Sequence, residues 1–119
     1  MISKIKREGL KISVLSAYLF AKKAHKGQKD KAGKDYILHP KFVASKLKDE
    51  NLKIVALLHD TVEDTNVILK DIETKFGKTI ADAIDAMTKR DGEEYMTYLA
   101  RVKANPLLDK SNWLIYIII

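Results

Sequence analysis

The chain contains no cysteine. That removes disulfide cross-links, thiolate zinc sites and cysteine nucleophiles together, and it fits a reducing compartment, so a cytoplasmic location is expected. Only 2 prolines occur, and no internal repeat or low-complexity segment is visible. Long hydrophobic runs are also missing. Nothing approaches the roughly 18 consecutive apolar residues of a membrane span, and the Lys-rich beginning lacks the apolar stretch of a signal peptide. The apolar tail "WLIYIII", residues 113–119, is far too short to cross a bilayer. No membrane association is expected.

What remains is ordinary globular composition, 46% hydrophobic and 32% charged over 119 residues. This predicts one domain over residues 1–119 with a single core. The net charge of +6 is uneven: residues 1–53 carry 14 Lys and Arg against 5 Asp and Glu, and residues 54–119 carry 8 against 11. The basic half could attract phosphates and the acidic half could hold a cation, although lysines also simply solvate helix faces. No basic stripe interleaved with aromatics and no helix-turn-helix signature is present, so nucleic acid is not an expected partner.

Periodicity predicts six helices joined by short loops. The first spans residues 10–25, with Ile12, Leu15, Leu19 and Ala24 on or near its apolar face. The segment "GQKDKAGKDY", residues 27–36, has two glycines and mixed charge and should be a loop. Pro40 suits the first turn of a helix reaching about residue 47, and Asp49-Glu50-Asn51 can cap the next, about 52–62. A helix over 69–76 should end at Gly77. Helices over 79–87 and 93–103 follow, the latter with Tyr95, Tyr98, Leu99 and Val102 as its apolar side. The tail is either a strand or a buried terminal helix. The predicted fold is all-α, a compact helical bundle with an irregular apolar tail.

The most informative stretch is "ALLHDTVEDT", residues 56–65. On a helical wheel with His59 at 0°, Glu63 falls near 40°, Asp60 near 100° and Asp64 near 140°, at roughly 100° per residue. Ile54, Val55, Leu57, Leu58 and Val62 fill the opposite arc. Three carboxylates at a helix C-terminus oppose the macrodipole and repel one another unless solvent or a cation compensates. A solvated acidic helix end with a chance histidine is the alternative to a cation site. Of the other histidines, His39 precedes Pro40 at a loop–helix junction, and His25 could be a favourable cation ending the first helix. A His/His/Asp set with further carboxylates would suit Mn²⁺, Fe²⁺ or Zn²⁺.

"FAKKAHKGQKDKAGKDYILHP", "ALLHDTVEDT", "DIETKFG" and "AMTK" occur in that order. Together they resemble the HD-domain phosphohydrolases, specifically the hydrolase domain of the RelA/SpoT proteins and the single-domain small alarmone hydrolases, over about residues 13–107. The resemblance implies an all-α domain that binds one divalent ion, most often Mn²⁺, through His39, His59 and Asp60. Glu63 and Asp64 would manage the attacking water. Lys31, with Tyr36 nearby, would hold the phosphorylated nucleotide. The implied reaction is removal of pyrophosphate from the 3′ position of guanosine tetra- or pentaphosphate, the (p)ppGpp alarmones.

Two departures modify this expectation. Asp30-Lys31 stands where alarmone hydrolases usually carry Arg-Lys, which takes away a stacking cation and adds negative charge beside an anionic ligand. After "RVKANPL" the chain reads "LDKSNWLIYIII", and Ile115 occupies the position expected for the family's fourth ligand, an aspartate. A truncated or frameshifted C-terminus is expected, and with it weak or absent hydrolysis. The alternative function is then a catalytically impaired domain that binds a nucleotide or a partner. An apolar terminus of this kind also favours self-association into a homo-oligomer.

Overall fold

The structure, a computed structural model, describes residues 2–109, with side chains from residue 13 onward. The tail, including position 115, lies outside the described residues, as does the question of whether it forms a strand or a helix. Among the described residues seven helices follow one another: α1 (Ile2–Ala24), α2 (Leu38–Ser45), α3 (Glu50–Asp64), α4 (Leu69–Phe76), α5 (Lys78–Met87), α6 (Tyr95–Ala104) and the short α7 (Pro106–Asp109). Among the described residues there is no strand, only an isolated antiparallel bridge between Lys29 and Asp35. The all-α expectation holds, with one more helix than the periodicity suggested.

Local chemistry sets the helix ends. Asp49 is extended and its carboxylate accepts from the Leu52 N–H at 3.1 Å, which satisfies one orphan donor at the start of α3. Gly77 serves as both C-cap of α4 and N-cap of α5, at φ +97°. Only a residue without a β-carbon reaches that conformation cheaply, so two helices join through one residue. Pro40 is buried in the first turn of α2, where its missing N–H leaves no donor unpaired.

α3 is the central element, packed against α1, α2, α5 and α7. Leu52, Ile54, Val55, Ala56, Leu57, Leu58, His59 and Thr61 are all buried on it. The wheel divided this helix into a core face and a polar face. The bundle covers part of the polar face too, so Ala56 and His59 are buried as well, while Glu63 and Asp64 stay exposed. α5 contributes Ile80, Ala83, Ile84 and Met87 to the same core, as their spacing predicts.

Two faces differ from expectation. On α1 the residues that meet the core are Ala17 and Ala21, with Val14, Tyr18 and Phe20 alongside, whereas Leu15 and Leu19 are exposed. A stripe of alanines lets α1 come close to α3, and close backbone approach favours that side over the bulkier leucines. On α6 Tyr98 and Val102 are buried but Tyr95 is exposed. No helix among the described residues is long and apolar enough to cross a membrane.

Candidate functional site

The last two turns of α3 carry the site. The His59 ring is 7% exposed, and its two nitrogens have distinct partners. Nδ1 lies 3.0 Å from the Ala56 carbonyl, which can only accept, so Nδ1 carries a hydrogen. Nε2 lies 3.0 Å from Oδ1 of Asp60. An ionised carboxylate also only accepts, so this contact requires a second proton on the ring or a cation between the two atoms. Asp60 is further held by the Tyr36 hydroxyl, which donates to Oδ2 at 2.5 Å.

The electrostatics follow from this pairing. Burial opposes charge on His59, but the hydrogen bond and charge of Asp60 outweigh it and raise the imidazolium above its ordinary range. Burial likewise opposes ionisation of Asp60, and here His59 outweighs it, helped by the Tyr36 hydroxyl, so the carboxyl titrates below its usual value. The Tyr36 phenol is pushed well up by burial first, then by its bond to Asp60 and the nearby charges of Asp64 and Glu63. Each group thus favours the charged form of the other, with the Tyr36 hydroxyl clamped onto the carboxylate.

The remaining predicted residues sit around this pair in different ways. Glu63 is exposed, and its Oε1 accepts from the Lys89 backbone N–H at 3.1 Å. Asp64 is exposed, and its backbone carbonyl accepts from Gln28 Nε2 at 2.9 Å. Lys31 is exposed in the loop between α1 and α2, and His39 is exposed at the second position of α2. The structure therefore brings Tyr36, His59 and Asp60 together and flanks them with Glu63 and Asp64. It does not gather His39 with them: among the described residues no three His, Asp or Glu side chains are grouped to hold an ion.

The donor chemistry nevertheless suits a divalent ion at His59 and Asp60. One imidazole nitrogen and one carboxylate oxygen face each other at 3.0 Å, a mixed N,O donor set of the kind divalent transition ions take. The Nδ1–H bond to Ala56 is the kind of outer contact that fixes a ligating histidine's tautomer.

Sequence reasoning gave four contributors no place in the site. His25, read from the sequence as a possible cation ending α1, is 2% exposed and packs against Tyr36 with ring centroids 4.8 Å apart and the rings tilted by 41°. Gln28 bridges its ring to the end of α3. Arg101 holds the turn that positions Glu63: Nε reaches the Ala86 carbonyl at 3.2 Å and Nη2 the Thr88 carbonyl at 2.9 Å. The Tyr98 hydroxyl donates to the adjacent Met87 carbonyl at 2.6 Å, and burial with the nearby Glu63 charge pushes that phenol up to about 12. These groups cap the carbonyls at the C-terminus of α5, and the next N–H along the chain, that of Lys89, grips Glu63. No local signal in the sequence marks these roles.

Asp30, which stands where the resemblance led to an Arg, has a structural task. Its Oδ1 accepts from the N–H groups of Ala32 at 2.8 Å and Lys34 at 2.9 Å, tying the loop into a tight turn.

Comparisons with known proteins converge on one family. A sequence profile of the HD domain matches residues 17–108. The guanosine-3′,5′-bis(diphosphate) 3′-pyrophosphohydrolase of Aquifex aeolicus is 46% identical over 77 residues, which cover 61% of this chain and 11% of that protein. The bifunctional (p)ppGpp synthase/hydrolase SpoT of Escherichia coli is 42% identical over 79 residues, covering 63% and 11%. The chain thus spans about a tenth of the length of these curated relatives. A solved structure, described as a metazoan ortholog of SpoT that hydrolyses ppGpp, superposes with a TM-score of 0.62 at 26% identity, covering 82% of this chain and 66% of the other.

Proposed function

Because the chain belongs to the HD-domain family, we propose that it is a divalent-metal-dependent phosphohydrolase acting on a phosphate or pyrophosphate ester of a nucleotide. Guanosine 3′,5′-bis(diphosphate) is the leading substrate, since relatives named for that 3′-pyrophosphohydrolase activity match the chain at 38–46% identity. The observation that carries the reading is the contact of His59 Nε2 with Asp60 Oδ1 at 3.0 Å, with the other ring nitrogen already committed to Ala56. His59 and Asp60, which meet here, and His39, which only the resemblance adds, are the residues proposed to hold the ion, and Mn²⁺ is the ion proposed. Bound there, it would supply Lewis-acid polarisation of the phosphoryl group. The chain's own carboxylates do the rest. Glu63 and Asp64, exposed at the helix end, accept the proton of the attacking water, and Lys89 N–H holds one oxygen of Glu63 so that the other faces solvent. Lys31 meets the substrate's phosphates. Tyr36, whose hydroxyl is engaged by Asp60, contributes its ring to the wall of the site.

One observation favours a second reading, a domain that binds nucleotide but turns it over poorly. In the sequence, Ile115 offers no donor at the position where the resemblance leads to a fourth ligand. Calorimetric titration of Mn²⁺, with a screen for phosphate and pyrophosphate release from 3′-phosphorylated nucleotides, separates the two. The expected result is metal uptake that disappears in His59→Ala, with weak turnover. Turnover at a rate typical of intact family members would remove the second reading; no uptake by the wild type would remove the metal reading.

A further inference from the structure

His25 is the most enclosed titratable group outside the pair already described, and its surroundings assign its protons. Gln28 donates through Nε2 to the Asp64 carbonyl at 2.9 Å, which turns its own amide oxygen, Oε1, toward His25 at 3.0 Å from Nδ1. An amide oxygen only accepts, so His25 carries its hydrogen on Nδ1. Nε2 is buried and without a hydrogen-bond partner among the described residues, so in the neutral ring it is the lone-pair atom. The same ring lies against Tyr36 at a 4.8 Å centroid separation, and Tyr36 is the residue that grips Asp60.

We propose that His25 and Gln28 form a positioning pair with two arms, one setting each half of the site. The amide arm runs from His25 Nδ1–H through Gln28 to the Asp64 carbonyl, one of the four C-terminal carbonyls that α3 cannot satisfy internally. The ring arm runs from the His25 imidazole to Tyr36 and on to Asp60. Both arms start in the turn just after α1, so the loop between α1 and α2 is docked onto the end of α3 in one register. Neither residue touches substrate; both act through others. The inference rests on the reading of Asp60 and Asp64 as site residues, but the geometry it describes exists without any ion.

The test uses the full ¹⁵N,¹³C-labelled chain at neutral pH without metal. Long-range ¹H–¹⁵N correlation of the imidazoles should show His25 protonated at Nδ1 with a lone-pair Nε2, and Gln28→Leu should collapse that preference into a tautomer mixture. His25→Ala should move the Tyr36 ¹³Cζ resonance toward that of a solvated phenol, and Gln28→Leu should shift the Asp64 carbonyl. If His25 proves destabilising to replace, Gln28→Leu alone decides the amide arm. A second measurement titrates Mn²⁺ alone: His25→Phe and Gln28→Leu should each weaken binding about 10-fold, in the range of outer-contact losses at metal sites. The double variant should be no weaker than either single one, because the two act as a unit. An Nε2–H tautomer in the wild type overturns the proposal, as do unchanged Tyr36 and Asp64 resonances in the variants. Mn²⁺ binding that is strong in the wild type and equally strong in both single variants also overturns it. If the wild type takes up no Mn²⁺ while the resonances behave as expected, the metal reading fails and the positioning pair stands.

Discussion

The Tyr36 hydroxyl and the Asp60 carboxylate are joined at 2.5 Å across 24 residues of sequence, so a loop side chain and a helix side chain share one charge. The bond goes to an ionised, part-buried acceptor, the kind that contributes more than a neutral pair. Tyr36→Phe keeps the ring against His25 and removes only the donor. It should cost about 1–2 kcal/mol in urea unfolding at neutral pH; a loss indistinguishable from zero would mean solvent holds Asp60 equally well.

Arg101 and Glu93 give the pH dependence. The hydrogen bond from Arg101, then that from the Arg90 N–H, keep the Glu93 carboxyl below its ordinary range. A depressed folded-state value contributes stability that is present above the unfolded value and is lost as pH falls through the folded one. Glu93→Gln should therefore lower Tm at neutral pH, and its difference from wild type should shrink on acidification below about pH 4, the ordinary glutamate range. Thermal melts across pH decide it: a gap that stays constant down to low pH would show that the ion pair is not its source.

Asp30 ties the loop between α1 and α2. Its carboxylate caps the N–H groups of Ala32 and Lys34, so Asp30→Asn, which keeps an acceptor oxygen, should leave the loop intact. Asp30→Arg, which restores the residue usual in alarmone hydrolases, should instead loosen residues 27–36 and cost about 1 kcal/mol, the size of a lost cap. Limited proteolysis should show faster cleavage within that loop in Asp30→Arg. Equal cleavage in all three proteins would mean the turn is held by its backbone alone.

Core and surface leucines should behave oppositely. Leu58 on α3 is 0% exposed and Leu19 on α1 is 52% exposed. Leu58→Ala should cost about 2–5 kcal/mol through lost contacts and a residual cavity, whereas Leu19→Ala should stay within about 0.5 kcal/mol, as surface changes usually do. Equal losses in chemical denaturation would show that the exposed side of α1 is covered in solution.

Most of the secondary structure was legible because it is locally encoded. The Asp49 cap, Pro40 in a first turn and the Gly77 junction each act within a few residues, and helix periodicity needs only one turn on either side. The same locality explains the errors. A wheel ranks hydrophobic faces but cannot count neighbours, so it put His59 on an open side of a helix that the bundle encloses. It chose Leu15 and Leu19 over Ala17 and Ala21, because close helix approach rewards small residues that a hydropathy scale ranks lower.

The candidate site divides along the same line. The sequence by itself determined the donor types and their order: His59, Asp60, Glu63 and Asp64 share the last turns of one helix, and their spacing places them there. Only the tertiary structure decided which of them are buried, which proton sits on which nitrogen, and what holds each carboxylate. Those properties depend on Tyr36 meeting Asp60, Gln28 meeting the Asp64 carbonyl and Lys89 meeting Glu63. Each contact joins segments more than 20 residues apart, and hydrogen bonding and desolvation act through space, where sequence distance carries no information.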